Sequence, residues 1–322
     1  MEKRIRQFIV APNEDGMRLD EFLALKIGRM SRSQANLCIK AGAVTVEPFR
    51  TPKPSMRIRT DDVVSIAQTL SQDVPMYDDV RILGETDDFW VFDKPAGMAV
   101  HPTASLFHNT VTQFVATVLK KNAYVVHRLD KETSGVLIVA KTPEVSTRLG
   151  AHFLDRSVRK RYQAVCYNAC GAYFPGRTLD IDIPLGFSGF LLPRITMGPG
   201  TLDAHTSVTC TGIHGEFALL DVELHSGRQH QIRVHLALTG TPILGDKLYL
   251  YGESFYKAWC DGENVPQFTP PRHLLHAAHL SFDWEGRTYM YDSPVPDLMS
   301  AVYRSELTEM MFPTEYARLF RT

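Results

Sequence analysis

The sequence predicts an α+β protein: a mainly antiparallel, mixed-sheet body preceded by a small α/β head. Three observations carry this reading. Short β-branched and aromatic runs outnumber helical stretches, and their irregular order disfavours a doubly wound parallel sheet. The chain of 322 residues is long for one compact core, so a domain with a smaller module is the default. The charge also shifts along it: residues 1–68 hold 12 Lys and Arg against 8 Asp and Glu, whereas the remainder holds 23 against 28.

In the head, Leu19, Phe22, Leu23 and Ile27 of "MRLDEFLALKI" (17–27) share one helical stripe. A second helix is expected to start at Ser31, because "SRSQ" has the form of a capping box with Gln34 reaching back. It should end near Lys40, with Gly42 as its stop and Cys38 in the core. "AVTV" (43–46) and "DVVSI" (62–66) read as strands of a hairpin joined by a basic, proline-broken connection. Arg18, Arg29, Arg32 and Lys40 lie on or beside the helices, away from the apolar stripes. A basic head on a mildly acidic body hints at polyanion binding, although charge alone favours a solvated face. The polar stretch around residues 69–79 is the expected linker between a head of 1–68 and a body of 80–322.

In the body, "FWVFDKPAG" (89–97), "YVVHRLD" (124–130), "GVLIVAK" (135–141), "RYQAVCY" (161–167) and "FALLDVEL" (217–224) read as strands. One helix starts at Thr142 with Pro143 at its first position and carries Val145, Leu149 and Phe153. Another lies in "HQIRVHLALTG" (230–240), with Ile232, Leu236 and Thr239 on one side and Gly240 as its stop.

Several function classes are disfavoured. Five cysteines without a CxxC pair suit a reducing compartment, and the N-terminus has no apolar run of signal-peptide length. No segment is apolar enough to span a bilayer, so a cytoplasmic location is expected, with no membrane partner. Two evenly spaced histidine sets, His225, His230, His235 and His273, His276, His279, invite a zinc-hydrolase reading. Neither has an HExxH pattern or a nearby acidic ligand, so core or RNA-facing histidines are expected and no metal.

The stretch "HRLDKETSG" (127–135) sets Asp130 between Arg128 and Lys131. An isolated Arg-x-Asp favours a structural ion pair closing a turn through Thr133, Ser134 and Gly135. The surrounding text, "VVHRLDKETSGVLIVAKT" (125–142), is similar to the catalytic motif of the RluA-type pseudouridine synthases. "VFDKPAGMAVHP", "RSVRKRYQAV", "ELHSGRQHQIRVHLALTGTPILGDKLY" and "LLHAAHLSF" match further motifs in the family's order, so the resemblance covers about residues 80–300. The usual Arg-Pro-Gly lead-in is replaced by "KNAYV". Residues 15–68 resemble an S-four-type RNA-binding domain, with "TVEPFR" where an Asn-Gly turn is common.

The resemblance implies isomerisation of uridine to pseudouridine within RNA. The N1–C1′ bond breaks, the uracil turns, and C5 bonds to C1′, so no cofactor or metal is needed. It makes Asp130 the catalytic carboxylate, attacking C1′ or taking the C2′ proton, with Arg233 as its partner. It makes Tyr162 the aromatic that packs on the uracil and helps remove the C5 proton, and Ile232 an apolar contact to the base. Arg128 is expected to fill the gap left by a flipped-out uridine or to hold the displaced backbone, and Arg18, Arg29, Arg32 and Lys40 to bind RNA. Lys94 and Pro95 are either a turn closing the first strand or a positioning element. The alternative is a non-catalytic RNA-binding protein on the same scaffold, which would need none of Asp130, Tyr162 and Arg233. The resemblance leaves ribosomal and transfer RNA as candidate substrates, and an attached head, common among the family's ribosomal-RNA enzymes, favours ribosomal.

Overall fold

The computed structural model describes residues 3–27, 32–40, 42–48, 51–69, 80–102, 109–168, 170–192, 195–261, 263, 265 and 270–303. The chain divides into two compact units, one of residues 1–77 with 101–113 and one of residues 78–100 with 114–322. Arg29, Ser31 and all but the first residue of the expected linker lie outside the described residues.

The first unit contains β1 (Lys3–Ile9), α1 (Leu19–Lys26), α2 (Arg32–Lys40), β2 (Val44–Glu47) and β3 (Val63–Thr69). The expected hairpin is present, and β1 adds an unanticipated third strand in the antiparallel order β1-β3-β2. Leu19, Phe22 and Leu23 of α1 pack with Ala35, Cys38 and Ile39 of α2 on Val44, Val46, Val64 and Ile66 of the sheet. Gly42 ends α2 in the left-handed conformation (φ 73°), its N–H donating back to the Ile39 carbonyl.

In chain order the rest comprises β4 (Ile82–Glu85), β5 (Phe89–Lys94), α3 (Val111–Thr117), β6 (Tyr124–Val125), β7 (Ser134–Ala140), α4 (Pro143–Leu154) and β8 (Arg159–Tyr167). Then come β9 (Thr178–Ile181), β10 (Leu185–Phe187), β11 (Met197–Pro199), β12 (Thr206–His214), β13 (Phe217–Leu224) and α5 (Gln231–Leu238). The series closes with α6 (Glu253–Asp261), β14 (Leu275–Trp284), β15 (Arg287–Asp292) and α7 (Asp297–Tyr303). One sheet runs β4-β5-β7-β14-β8-β13-β12-β9, with β15 on β14 and β6 on β7, while β10 and β11 form a separate hairpin. Among the described residues every pair is antiparallel except β7 with β14, which share a short parallel seam at His276↔Ser134 and Ala277↔Gly135. The mixed, largely antiparallel sheet is the expected one.

That seam positions the site. Across β14, Ala277 faces Gly135 on one side and Tyr162 of β8 on the other. The approach at Gly135 is too close for any side chain: a Cβ there would lie 2.1 Å from the Ala277 carbonyl oxygen, and φ is +110°. "YVVHRLD", expected as one strand, pairs only over Tyr124–Val125 and then leaves the sheet as a loop. The reason is His127, whose Nε2 accepts the Ile138 N–H at 3.0 Å, so a side chain takes the hydrogen bond that a continuing strand would have taken.

Helix α4 is capped as the sequence indicates, Thr142 Oγ1 accepting from the Val145 N–H at 3.3 Å with Pro143 at the first position. Val145 and Leu149 pack on Phe89, Val136, Ile138, Phe282 and Trp284. Helix α5 is buried along most of its length, Gln231 through Leu236, with Thr239 as its C-cap rather than on its face. Among the described residues no helix is long and apolar enough to cross a membrane.

Candidate active site

Asp130 sits on the loop before β7 with about a fifth of its side chain accessible, at a cavity of about 900 Å³. Arg233 Nη1 on α5 donates to its Oδ2 at 2.8 Å, which is the pairing expected from the sequence. The same guanidinium holds a second carboxylate that sequence reasoning missed. Nε and Nη2 donate to Oδ2 and Oδ1 of Asp246 at 2.7 and 2.9 Å. Asp246 is fully buried and also accepts the Leu248 and Tyr249 N–H groups, both at 3.0 Å. The planar fork is thus fixed by Asp246, and its remaining nitrogen is aimed at Asp130.

Burial pushes the Asp130 carboxyl up, but His230, Arg233 and His273 outweigh it and hold the group well below the usual carboxylate range. Of these three, burial brings His230 down to about 4 and His273 to about 3, so both rings are neutral at pH 7. Arg233 is therefore the standing charge that keeps Asp130 ionised.

His230 begins α5 in a left-handed conformation (φ 53°) that turns its ring between Tyr249 and Asp130. Tyr249 Oη accepts the Met197 N–H at 3.0 Å and shares a hydrogen bond of 2.9 Å with His230 Nδ1. The other ring nitrogen, Nε2, lies 3.8 Å from Asp130 Oδ1.

Tyr162 and Ile232, 8% and 4% exposed, line the same cavity. Burial first, then the Asp130 charge, raise the Tyr162 phenol, so at neutral pH it stays protonated. Arg128 is exposed on the cavity rim and, among the described residues, forms no ion pair or hydrogen bond. The structural Arg128–Asp130 pair that an isolated motif would favour is absent, since Asp130 faces Arg233 and His230 instead.

The loop is braced from behind. Thr133 and His273 share a hydrogen bond of 2.8 Å, and Ser134 and His276 one of 2.9 Å. Glu132 takes Lys247 Nζ at 2.6 Å and the His273 N–H at 3.2 Å. Lys94 is fully buried, and its amine donates to the carbonyls of Met98 (2.8 Å), Pro95 (3.0 Å) and Lys131 (3.3 Å). Burial pulls its pKa down to about 7, while three acceptors match the three donors of the charged ammonium. Lys94 therefore ties the "KPAG" turn to the residue after Asp130. The other histidines of the evenly spaced sets hold separate partners: His235 meets Thr206 Oγ1 and the Ile183 carbonyl, His279 meets Asp292, and His225 meets Ser207.

In the first unit the Arg18 fork is occupied by Asp20 (3.0 and 2.8 Å), and Arg32 pairs with Glu21 at 2.9 Å. Lys40 is exposed with no ion pair among the described residues.

A sheet of this topology is that of the RNA pseudouridine synthases. The human RNA pseudouridylate synthase domain containing 1 superposes with a TM-score of 0.54 at 19% identity, covering 76% of this chain and 96% of that one. The human domain containing 4 protein does so with 0.51 at 22%, covering 72% and 94%. The RNA pseudouridylate synthase family pattern matches residues 88–238. A ribosomal large subunit pseudouridine synthase D of Xanthomonas campestris pv. campestris is 32% identical over 324 residues, 94% of each chain. That of Vibrio vulnificus is 30% identical over 327 residues, 95% of this chain and 97% of its own. The chain belongs to the RluA-type pseudouridine synthases and is an RNA-modifying isomerase, not a non-catalytic binder on the same scaffold.

Proposed function

We propose that this enzyme isomerises uridine to pseudouridine in the RNA of the large ribosomal subunit, with Asp130 as its catalytic group. The observation that carries the catalytic part is the ionised Asp130 carboxylate, held by Arg233 at the floor of a cavity that Tyr162 and Ile232 line. A flipped uridine lies against Tyr162 and Ile232 with its ribose toward Asp130. The carboxylate attacks C1′ or takes the C2′ proton, and either route starts from the anion that Arg233 maintains. Arg128, unpaired on the rim, fills the vacated stack.

The ribosomal target rests on the names of the long-range relatives. The first unit, resembling an S-four-type domain over residues 15–68, supplies sequence-independent RNA affinity through Lys40 and the neighbouring arginines. A cytoplasmic location follows from a ribosomal substrate.

The test is to map pseudouridines in ribosomal and transfer RNA from cells with and without the gene, restoring either the wild type or Asp130→Asn. Positions lost from large-subunit RNA, regained with the wild type and not with the amide, are the expected result. Losses confined to transfer RNA would overturn the ribosomal assignment, and rescue by Asp130→Asn would overturn that of Asp130.

A further inference from the structure

Strand β8 alternates its faces, so Lys160 and Tyr162 present their side chains on the same buried side, and both line the cavity. Lys160 is only 7% exposed. Its Nζ lies 5.9 Å from the centre of the Phe153 ring, which stacks in turn on His127 at 4.5 Å. Buried lysines elsewhere in this unit are answered by oxygen: Lys94 by three carbonyls, Lys247 by Glu132 and the Pro271 carbonyl. Among the described residues, the Lys160 amine has neither a hydrogen bond nor an ion pair.

Beyond the Phe153 ring face, the surroundings leave the charge unmet. Burial, then Arg156, lower the Lys160 pKa, as befits an ammonium without a counter-ion. Burial also holds His127 neutral, at about 3. Arg128 and Arg156 on the rim are exposed and, among the described residues, likewise unpaired. The single carboxylate among the described lining residues is Asp130, already committed to Arg233. Three cations without a side-chain hydrogen bond or ion pair among the described residues, and a fourth, Arg228, whose side chain meets only the Asp203 carbonyl, thus face one cavity in a part of the chain where acids outnumber bases.

We infer that Lys160, with Arg128 and Arg156 at the rim, forms a phosphate subsite that binds a backbone phosphodiester beside the target nucleotide. A phosphodiester supplies the full negative charge and oxygen acceptors that this ammonium lacks, and RNA brings one on each side of every base. Two strand residues span roughly 6.6 Å, so a phosphate on Lys160 belongs to the nucleotide whose base meets Tyr162 or to its immediate neighbour. Lys160 does not reach the reacting atoms; it acts on delivery, and its effect falls on KM rather than kcat. The inference rests on the proposed reading for the identity of the base, not for the phosphate.

The test is calorimetric titration of the full-length protein with uridine, uridine 3′,5′-bisphosphate and adenosine 3′,5′-bisphosphate, on the wild type, Lys160→Met and Lys160→Arg. Lys160→Met keeps the stem against Phe153, and Lys160→Gln replaces it should its melting temperature fall. The wild type should bind the uridine bisphosphate on the order of tenfold more tightly than uridine, as a charge-assisted hydrogen bond allows. Lys160→Met should lose most of that difference, and Lys160→Arg should regain it. A folded Met or Gln variant with undiminished preference for the bisphosphate would overturn the subsite. Adenosine bisphosphate binding as tightly as the uridine compound, with the same loss in Lys160→Met, would uphold the subsite while counting against the uridine pocket.

Discussion

Asp130 remains an anion because Arg233 stands beside it, and Arg233 stands there because Asp246 grips its other edge. An ammonium keeps the charge but not the fork, so Arg233→Lys serves one carboxylate and abandons the other. With its partner weakened, Asp130 is left to burial, which raises its pKa. The sign is therefore fixed: the acid limb of kcat moves upward toward neutrality, and kcat at pH 7 falls by roughly one to two orders of magnitude. A pH–rate profile identical to the wild type would show that charge alone matters there. Arg128 calls for a different readout, because it faces the cavity unpaired. Arg128→Ala should lose most activity on a folded RNA, where extruding a base costs a few kcal/mol, and clearly less on a short unstructured strand. Equal losses on both, with a lowered melting temperature, would make it a structural residue. At this scale the motifs yielded Asp130, Tyr162, Ile232 and Arg233 by number. His230 reads from its spacing as a core or RNA-facing histidine rather than a neighbour of Asp130, and Asp246 and Tyr249 carry no signal of their own, because a Gly-Asp before a bend reads locally as turn chemistry. Only the fold brings a residue thirteen positions away onto the same guanidinium.

At the scale of elements, the parallel seam between β7 and β14 is short, and Gly135 sits in it against the Ala277 backbone. Backbone cannot yield as a side-chain tip can, and φ +110° penalises any Cβ besides. Gly135→Ala should therefore cost at least about 2 kcal/mol and lower the melting temperature by several degrees, if soluble protein forms at all. An alanine variant melting with the wild type would mean that the two strands part easily. Elements with strong local grammar were legible: Thr142-Pro143 announced α4, and Phe89–Lys94 and Ser134–Ala140 announced buried strands. Strand β12 was not, because its buried face is Thr206, Val208 and Cys210, too small and polar to stand out as an apolar alternation. β1 was hidden for a related reason: charged Lys3, Arg4 and Arg6 interrupt it, and pairing with β3 rather than hydropathy makes it a strand. The overextension of "YVVHRLD" has the opposite cause, since an apolar run gives no notice that a histidine will end its pairing.

For the whole molecule, the buried histidines and the paired carboxylates all make stability fall on the acid side. Burial lowers His127 and His273 to about 3 and His230 to about 4, while an unfolded histidine titrates near 6.5. Between those values the unfolded chain binds protons that the folded chain refuses, so stability falls as pH drops below about 6.5. Each such histidine contributes up to about 1.4 kcal/mol per pH unit across its window. Asp130 and Asp246, both held low, add a further loss only as pH falls through the ordinary carboxylate range. Melting temperatures measured from pH 7.5 to 4.5 should decline already between 6.5 and 5, before any carboxylate titrates. Replacing His127 with Gln should flatten that decline. A melting temperature constant down to pH 5 would mean that these rings take up protons without unfolding the chain.

Because one guanidinium serves two carboxylates, positions 130, 233 and 246 are unequal in what their loss would leave behind. Losing Arg233 strands two anions, one of them wholly enclosed, and losing Asp246 leaves the fork half empty. Losing Asp130 leaves a complete ion pair. A descendant released from selection for catalysis would therefore shed Asp130 first and retain Arg233 with Asp246 long afterwards, so that the pair outlives the chemistry it was built to support.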